Sequence, residues 1–210
     1  MSIGCLGTKI GMTQIFNENG ELIPVTVLKI GPCYVTQIKT FDTCTYNAVQ
    51  IGYHELKPTL KHKILTKPEI GHLKKNNLPL LRYLKEYKLN EPQQFKLGQC
   101  LDTNLFVLGE KVKISGKTIG KGNAGNVKKH HFKRGAMSHG SKHHRAQGSL
   151  GAGTTPSRVF PGKKMAGRLG YTWQTIQNMI IIGIDHPNNL ILVKGSVSGK
   201  FGNLISVSKI

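Results

Sequence analysis

Ile10-Gly11-Met12-Thr13-Gln14-Ile15-Phe16, Asn17-Glu18-Asn19-Gly20 and Glu21-Leu22-Ile23-Pro24-Val25-Thr26-Val27-Leu28-Lys29-Ile30 follow one another near the start of the chain. Two runs rich in apolar and β-branched residues flank a turn ending in Asn-Gly. Both residues of that pair tolerate positive φ, so the stretch reads as a β-hairpin. The second run sets Val25 and Val27 on one face and Thr26 and Leu28 on the other. Pro24 donates no ladder hydrogen bond, which assigns it to an edge or a strand start. Gly31-Pro32 then turns the chain into a strand over Tyr34 to Thr40, and Ala48 to Tyr53 reads as the next. Farther on, Val112 to Ser115, Thr175 to Asp185, Leu190 to Lys194 and Leu204 to Val207 repeat the pattern, the last as a strand able to close the sheet. Short strands joined by turns predict a mainly β fold, a β-meander or Greek-key barrel rather than a wound α/β sheet.

Residues 57–101 break this rhythm. Thr66-Lys67-Pro68-Glu69 is a helix start, with Thr66 as cap and Glu69 reaching back to it, and Asn76-Asn77-Leu78-Pro79 ends the helix. Arg82 to Leu89 alternates Tyr83, Lys85 and Tyr87 with Leu84, Glu86 and Lys88, which predicts a strand. The expected organisation is a barrel from residues 1–56, 102–116 and 171–210, a small mixed α/β lobe at 57–101, and an inserted basic arm at 117–170.

The arm contains no Asp or Glu, and glycine recurs through it every few residues. No apolar period persists, so it has too little apolar surface for a core of its own and its backbone needs an outside partner. An excursion this long is entropically tolerable between two strands, and loops of such length are usually functional or disordered. Phe132, Met137, Leu150, Val159, Phe160, Met165, Leu169, Tyr171 and Trp173 are spread through the charge, which a purely solvating tail would lack. The arm therefore reads as functional, becoming ordered on its partner.

The partner is a polyanion. The chain of 210 residues carries a formal net charge of +20, and after Glu110 its only acid is Asp185. No long basic amphipathic helix favours a membrane surface, and the apolar run Met179 to Ile182 is too short to span one. Nucleic acid fits, because the glycines let backbone approach phosphates and bases. Cys5, Cys33, Cys44 and Cys100 form no Cys-x-x-Cys pair and read as reduced, half-buried side chains, and Met1-Ser2-Ile3-Gly4 has no leader character.

Three motifs point elsewhere and fail. Gly120-Lys121-Gly122-Asn123-Ala124-Gly125 matches a dinucleotide fingerprint, but Lys128-Lys129-His130-His131 follows instead of the required helix, and no acid stands about 20 residues on. Ser115-Gly116-Lys117-Thr118 is half a P-loop, with Lys111 where its first glycine belongs. His130, His131, His139, His143 and His144 lack a cysteine or carboxylate to complete a metal site, and neighbouring lysines repel a cation. No catalytic constellation emerges, so neither an enzyme nor a cofactor is expected. A DNA-compacting protein shares the charge; the irregular mixture of cations, imidazoles and aromatics suits folded RNA better.

Gly4-Cys5-Leu6-Gly7-Thr8-Lys9-Ile10-Gly11-Met12-Thr13-Gln14-Ile15-Phe16 resembles the opening of the third universal large-subunit ribosomal protein family, in its bacterial and organellar form. So do Ile23 to Val27, Val35-Thr36-Gln37, Lys117 to Gly125, Ser138-His139-Gly140-Ser141 and His144-Arg145. The run Thr155-Pro156-Ser157-Arg158-Val159-Phe160-Pro161-Gly162-Lys163-Lys164-Met165-Ala166-Gly167 is similar to the family's most recognisable segment, and Leu190 to Gly195 matches near the end. The resemblance covers nearly the whole chain and is weakest at 57–101. It implies a six-stranded barrel with a long extended loop threaded into 23S-type large-subunit rRNA. It also implies a body near the 3′ end of that rRNA that helps start assembly, and a loop tip, residues 144–157 here, approaching the peptidyl-transferase centre. Neighbouring large-subunit proteins are the other implied partners; no membrane and no small-molecule substrate are. Some bacterial members carry a methylated glutamine where Thr154 stands.

The expected rRNA contacts follow by residue type. Lys9, Lys117, Lys121, Lys128, Lys129, Lys133, Arg134, Lys142, Arg145, Arg158, Lys163, Lys164 and Arg168 would neutralise phosphates. His130, His131, Phe132, His139, His143, His144 and Trp173 would stack on bases or bond their edges. Gly148, Gly151, Gly153 and Thr154 would bring the tip backbone close to RNA. Lysine outnumbers arginine 25 to 5 and Ile and Asn are plentiful, as in AT-rich coding. A plastid ribosome is the expected location, with a bacterial cytoplasm as the alternative.

Overall fold

The structure, a computed structural model, describes residues 3–57 and 64–210. The chain forms two compact units, one from the segments up to Lys117 and from Trp173 onward, the other from Thr118 to Thr172.

Six antiparallel strands of the first unit close into a barrel in the order β1 (Gly4–Phe16), β12 (Leu204–Lys209), β7 (Lys111–Lys117), β10 (Trp173–Asp185), β11 (Leu190–Lys194) and β2 (Leu22–Ile30). β12 closes the ring by pairing with β1 on one side and β7 on the other, Val207 lying opposite Cys5 and Ile114. Alternate residues point inward, and Leu28, Ile114, Ile181, Ile191 and Ile205 are all but fully buried there, while Leu6 is buried on the opposite face of β1 with Ser206. The Asn17–Gly20 turn joins β1 and β2 as expected, the Asn17 carboxamide oxygen accepting from the amides of Asn19 and Glu21 at 3.1 and 2.8 Å. β1 starts at Gly4 rather than Ile10, because its first half is the part that β12 covers. Val25 and Thr26 are both buried, so the simple alternation expected of this strand fails. The Thr26 hydroxyl is satisfied by donating to the Gly195 carbonyl at 2.6 Å.

The barrel does not take in all of residues 1–56. β3 (Cys33–Lys39) and β4 (Ala48–Glu55) join β5 (Leu81–Lys88) and β6 (Cys100–Leu101) in a second sheet of order β5-β4-β3-β6. Local pattern reveals a strand but not its neighbour, and after Gly31-Pro32 the neighbour is Tyr53 on one side and Leu101 on the other. Residues 57–101 are therefore no separate lobe: β5 and β6 complete a sheet begun at Cys33. Residues 58–63 of that expected lobe lie outside the described residues. The two sheets share one apolar core, in which Val35, Val49 and Ile51 join Leu6, Ile30 and Val207.

The expected helix is present as α2 (Lys67–Lys75), after a short α1 (Phe41–Cys44) that had no sequence signal. The Thr66 amide donates to Glu69 Oε2 at 2.8 Å, and this bond holds the Glu69 carboxyl below the usual carboxylate range. Ile70 and Leu73 pack with Leu56, Leu65 and Leu81 in a second apolar cluster. Lys39 bridges to Glu86 at 2.6 Å and to the Tyr46 hydroxyl at 2.9 Å. All four cysteines are free, and Cys5 and Cys33 are fully rather than half buried.

Candidate nucleic-acid interface

The inserted unit begins as a ribbon. Lys117 of β7 lies opposite Trp173 of β10, and the next pair is tied by the Thr118 amide donating to the Thr172 carbonyl at 2.9 Å. Lys121 N–H bonds Leu169 O at 2.8 Å and Leu169 N–H bonds Gly122 O at 2.9 Å. β8 (Asn123–Ala124) then pairs with β9 (Gly167–Arg168). Gly170 fits this stem for a steric reason: its φ is +75°, and a Cβ there would stand 2.2 Å from the Ile119 carbonyl oxygen.

Beyond the ribbon comes α3 (Asn126–His130), ended by His131 in the left-handed region at φ 58°. A five-residue helix thus does follow the glycine-rich run, contrary to the sequence reading. Its amide-rich end is too short to support dinucleotide chemistry. His130 Nε2–H donates to the Met165 carbonyl at 3.0 Å, tying the helix to the returning chain. Asn126 Nδ2 donates to Gln147 Oε1 at 2.7 Å, and its own carboxamide oxygen is buried without a partner. A smaller loop is closed by the Gly135 amide on His144 O and by His144 Nδ1–H on Ala136 O, both at 2.9 Å. Ser157 turns the tip, its hydroxyl donating to the Thr154 carbonyl.

Only Ala124 and Asn126 are buried between Thr118 and Thr172, so this unit has hydrogen-bonded form without an apolar core. Lys121, Lys128, Lys133, Arg134, Lys142, Arg145, Arg158, Lys163, Lys164 and Arg168 are exposed, and Lys129 is half-buried with its ammonium against Gly167. With eleven Lys and Arg and no carboxylate, none of these cations has a counter-charge inside the unit. Phe132, Lys133, Arg134 and His143 line an open concavity with Gln147 and Gly148. Such a set offers a stacking face, a planar guanidinium and an imidazole to an unpaired base and its phosphate. Gly148 and Gly153 adopt φ of 79° and 97°, with open space where a Cβ would stand. His131 and His139 are exposed, as are Gly151 and Thr154 at the tip. No group of three or more metal-ligating side chains occurs among the described residues.

Other residues expected at the interface also make contacts within the protein. Lys9 is engaged in this way: its ammonium donates to the carbonyls of Val197 at 2.7 Å and Gly199 at 3.1 Å, clamping the β11–β12 connection. Removing it as Lys9→Ala strands both carbonyls, and a loss of about 1–3 kcal/mol is expected in chemical denaturation, with RNA affinity and its salt slope unchanged. His130 and His144 likewise brace the inserted unit. Trp173 has Lys85 at 5.3 Å from its ring, and Tyr87 flanks the same ammonium at 5.4 Å. Burial there pushes the Lys85 pKa down. Sequence reading placed Tyr171 among the arm's aromatics but missed its pairing with Arg168, whose guanidinium lies 5.7 Å from the ring, and the Asn126–Gln147 brace. An Arg three residues before an aromatic was the available signal for the first; the second had none.

Comparison with known proteins bears on this arrangement. The family model for Ribosomal protein L3 matches residues 88–191, which include the whole inserted unit. Large ribosomal subunit protein uL3c of Guillardia theta is 54% identical over 207 residues, spanning 99% of this chain and all of the relative. The protein of the same name from Porphyra purpurea is 54% identical over 209 residues and covers both chains in full. Large ribosomal subunit protein uL3 of Picosynechococcus is 55% identical over 209 residues, 99% of this chain and 96% of its own length. Likeness of this extent takes in the barrel, the second sheet and the acid-free insertion together, and the chain belongs to the ribosomal protein L3 family, as a structural and non-enzymatic constituent of the large subunit.

Proposed function

We propose that the chain binds large-subunit rRNA directly through residues 118–172, helps nucleate subunit assembly, and carries residues 144–157 toward the peptidyl-transferase centre of a plastid ribosome. One observation supports this most: eleven cations stand on a unit with no carboxylate and no apolar core. Such a unit gains from neutralising phosphates and has little else to gain from folding. The barrel supplies a rigid base that grips both ends of the insertion through the Lys117–Trp173 pair. The plastid setting rests on the chain's AT-rich residue usage and on relatives bearing the uL3c name in Guillardia theta and Porphyra purpurea.

Filter binding of the full chain to a large-subunit rRNA fragment, run across a salt series against duplex DNA, tests the reading. Preference for the rRNA fragment is expected, and equal affinity for duplex DNA would make this an architectural DNA binder. Lys163→Ala with Lys164→Ala is expected to weaken binding and to flatten the salt slope by about 0.9 per lost contact on duplex-like RNA. An unchanged slope excludes phosphate contact at that pair.

A further inference from the structure

The β1–β2 hairpin outruns the barrel. Pairing of β1 with β12 stops at Thr8 opposite Leu204, and pairing of β2 with β11 stops at Val25 opposite Lys194. From Met12 to Phe16 and back through Leu22, the ribbon has only its own two strands. Phe16 lies opposite Leu22 and Gln14 opposite Pro24, so they share one face with Met12. Phe16, Met12 and Leu22 are 68%, 52% and 50% exposed, whereas Thr26 on the same face and Val25 on the other are fully buried at the ribbon's base. A two-stranded hairpin is marginal in water, and unpaired edges beside an apolar face invite another chain.

Charge says which kind. Residues 10–28 form the longest run of this +20 chain without Lys, Arg or His, and their only charges are Glu18 and Glu21. An rRNA phosphate would meet like charge and no donor cation there. We propose that the face of this ribbon bearing Met12, Phe16 and Leu22, which continues the inward face of β2 beyond the end of the barrel, docks a second protein, one presenting apolar side chains ringed by Lys and Arg. The inference rests on the ribosomal reading above, within which neighbours of that composition are at hand. Apolar contact would come from Met12, Phe16 and Leu22, and register from the two glutamates at the tip.

The test is photocrosslinking from Phe16→p-benzoylphenylalanine in the full-length chain within sedimented large subunits. Adducts are identified by mass spectrometry and, for RNA, by primer extension. A single polypeptide adduct of strongly positive net charge, joined through an apolar residue, is expected. Glu18→Lys is expected to lower its yield about tenfold through like-charge contact, with sedimentation unchanged. An adduct to rRNA, to a second copy of this chain, or to nothing overturns the proposal while leaving the ribosomal reading intact. Failure of the chain to sediment with large subunits overturns both.

Discussion

A chain in which residues 119–171 are replaced by Asn-Gly is expected to fold, and to bind large-subunit rRNA at least about a thousandfold more weakly at 0.15 M salt. Folding should survive because the excision point is already a hairpin closure. Thr118 and Thr172 are the backbone-bonded pair that a two-residue turn requires, and Asn-Gly supplies its positive φ values. Neither apolar cluster draws a residue from the inserted unit, so the core is untouched and the melting temperature should move by only a few degrees. Binding should collapse because the excision removes eleven of the chain's thirty Lys and Arg and not one acid. If six or more of them meet phosphates, their counterion release alone is worth about three decades of affinity over a fourfold change in salt. Thermal melting and filter binding on the same sample decide it. A shortened chain that binds as tightly as the original makes the barrel the RNA surface. One that fails to fold makes the insertion part of the folding unit.

What could be read before the structure divides along the range of the interactions. The Asn17–Gly20 turn and the Thr66–Glu69 cap were legible because every atom they need lies within a few residues. The basic arm was legible for a similar reason, since charge and glycine content are properties of a segment alone. Sheet membership was not. Cys33 and Leu101 pair across a separation that leaves no periodic trace, so β3 and β4 looked like barrel strands. The fate of Lys9 shows the same limit at a single side chain. On β1 it reads as one more cation, yet its partners are carbonyls 188 and 190 residues away. His130 and His144 were expected to stack on bases or bond their edges, and only the folded loop reveals that each also donates to a backbone carbonyl.

Glycine in β1 makes the point testable. Gly7→Ala is expected to destabilise the barrel by about 3 kcal/mol, at the upper end of ordinary overpacking. A Cβ at Gly7 would stand 2.3 Å from the Lys29 carbonyl oxygen and 3.0 Å from Ile30 Cα. Both are backbone atoms of β2, and neither can swing aside as a side-chain tip would. β1 cannot retreat either, because Gly7 faces Ile30 on one side and Ile205 of β12 on the other. Strain of that size should lower the melting temperature by about 6–12 °C for a chain of this length. Gly11 is the control four residues along the same strand, past the irregularity after Lys9, where nothing lies within 4 Å of a built Cβ. Gly11→Ala should leave stability unchanged or raise it by about 0.5 kcal/mol, because alanine restricts the unfolded chain more than glycine does. Opposite signs at two glycines of one strand would locate the tight β1–β2 contact at Gly7. Equal, small effects would mean that β2 yields there, and that the barrel is held together chiefly through β12.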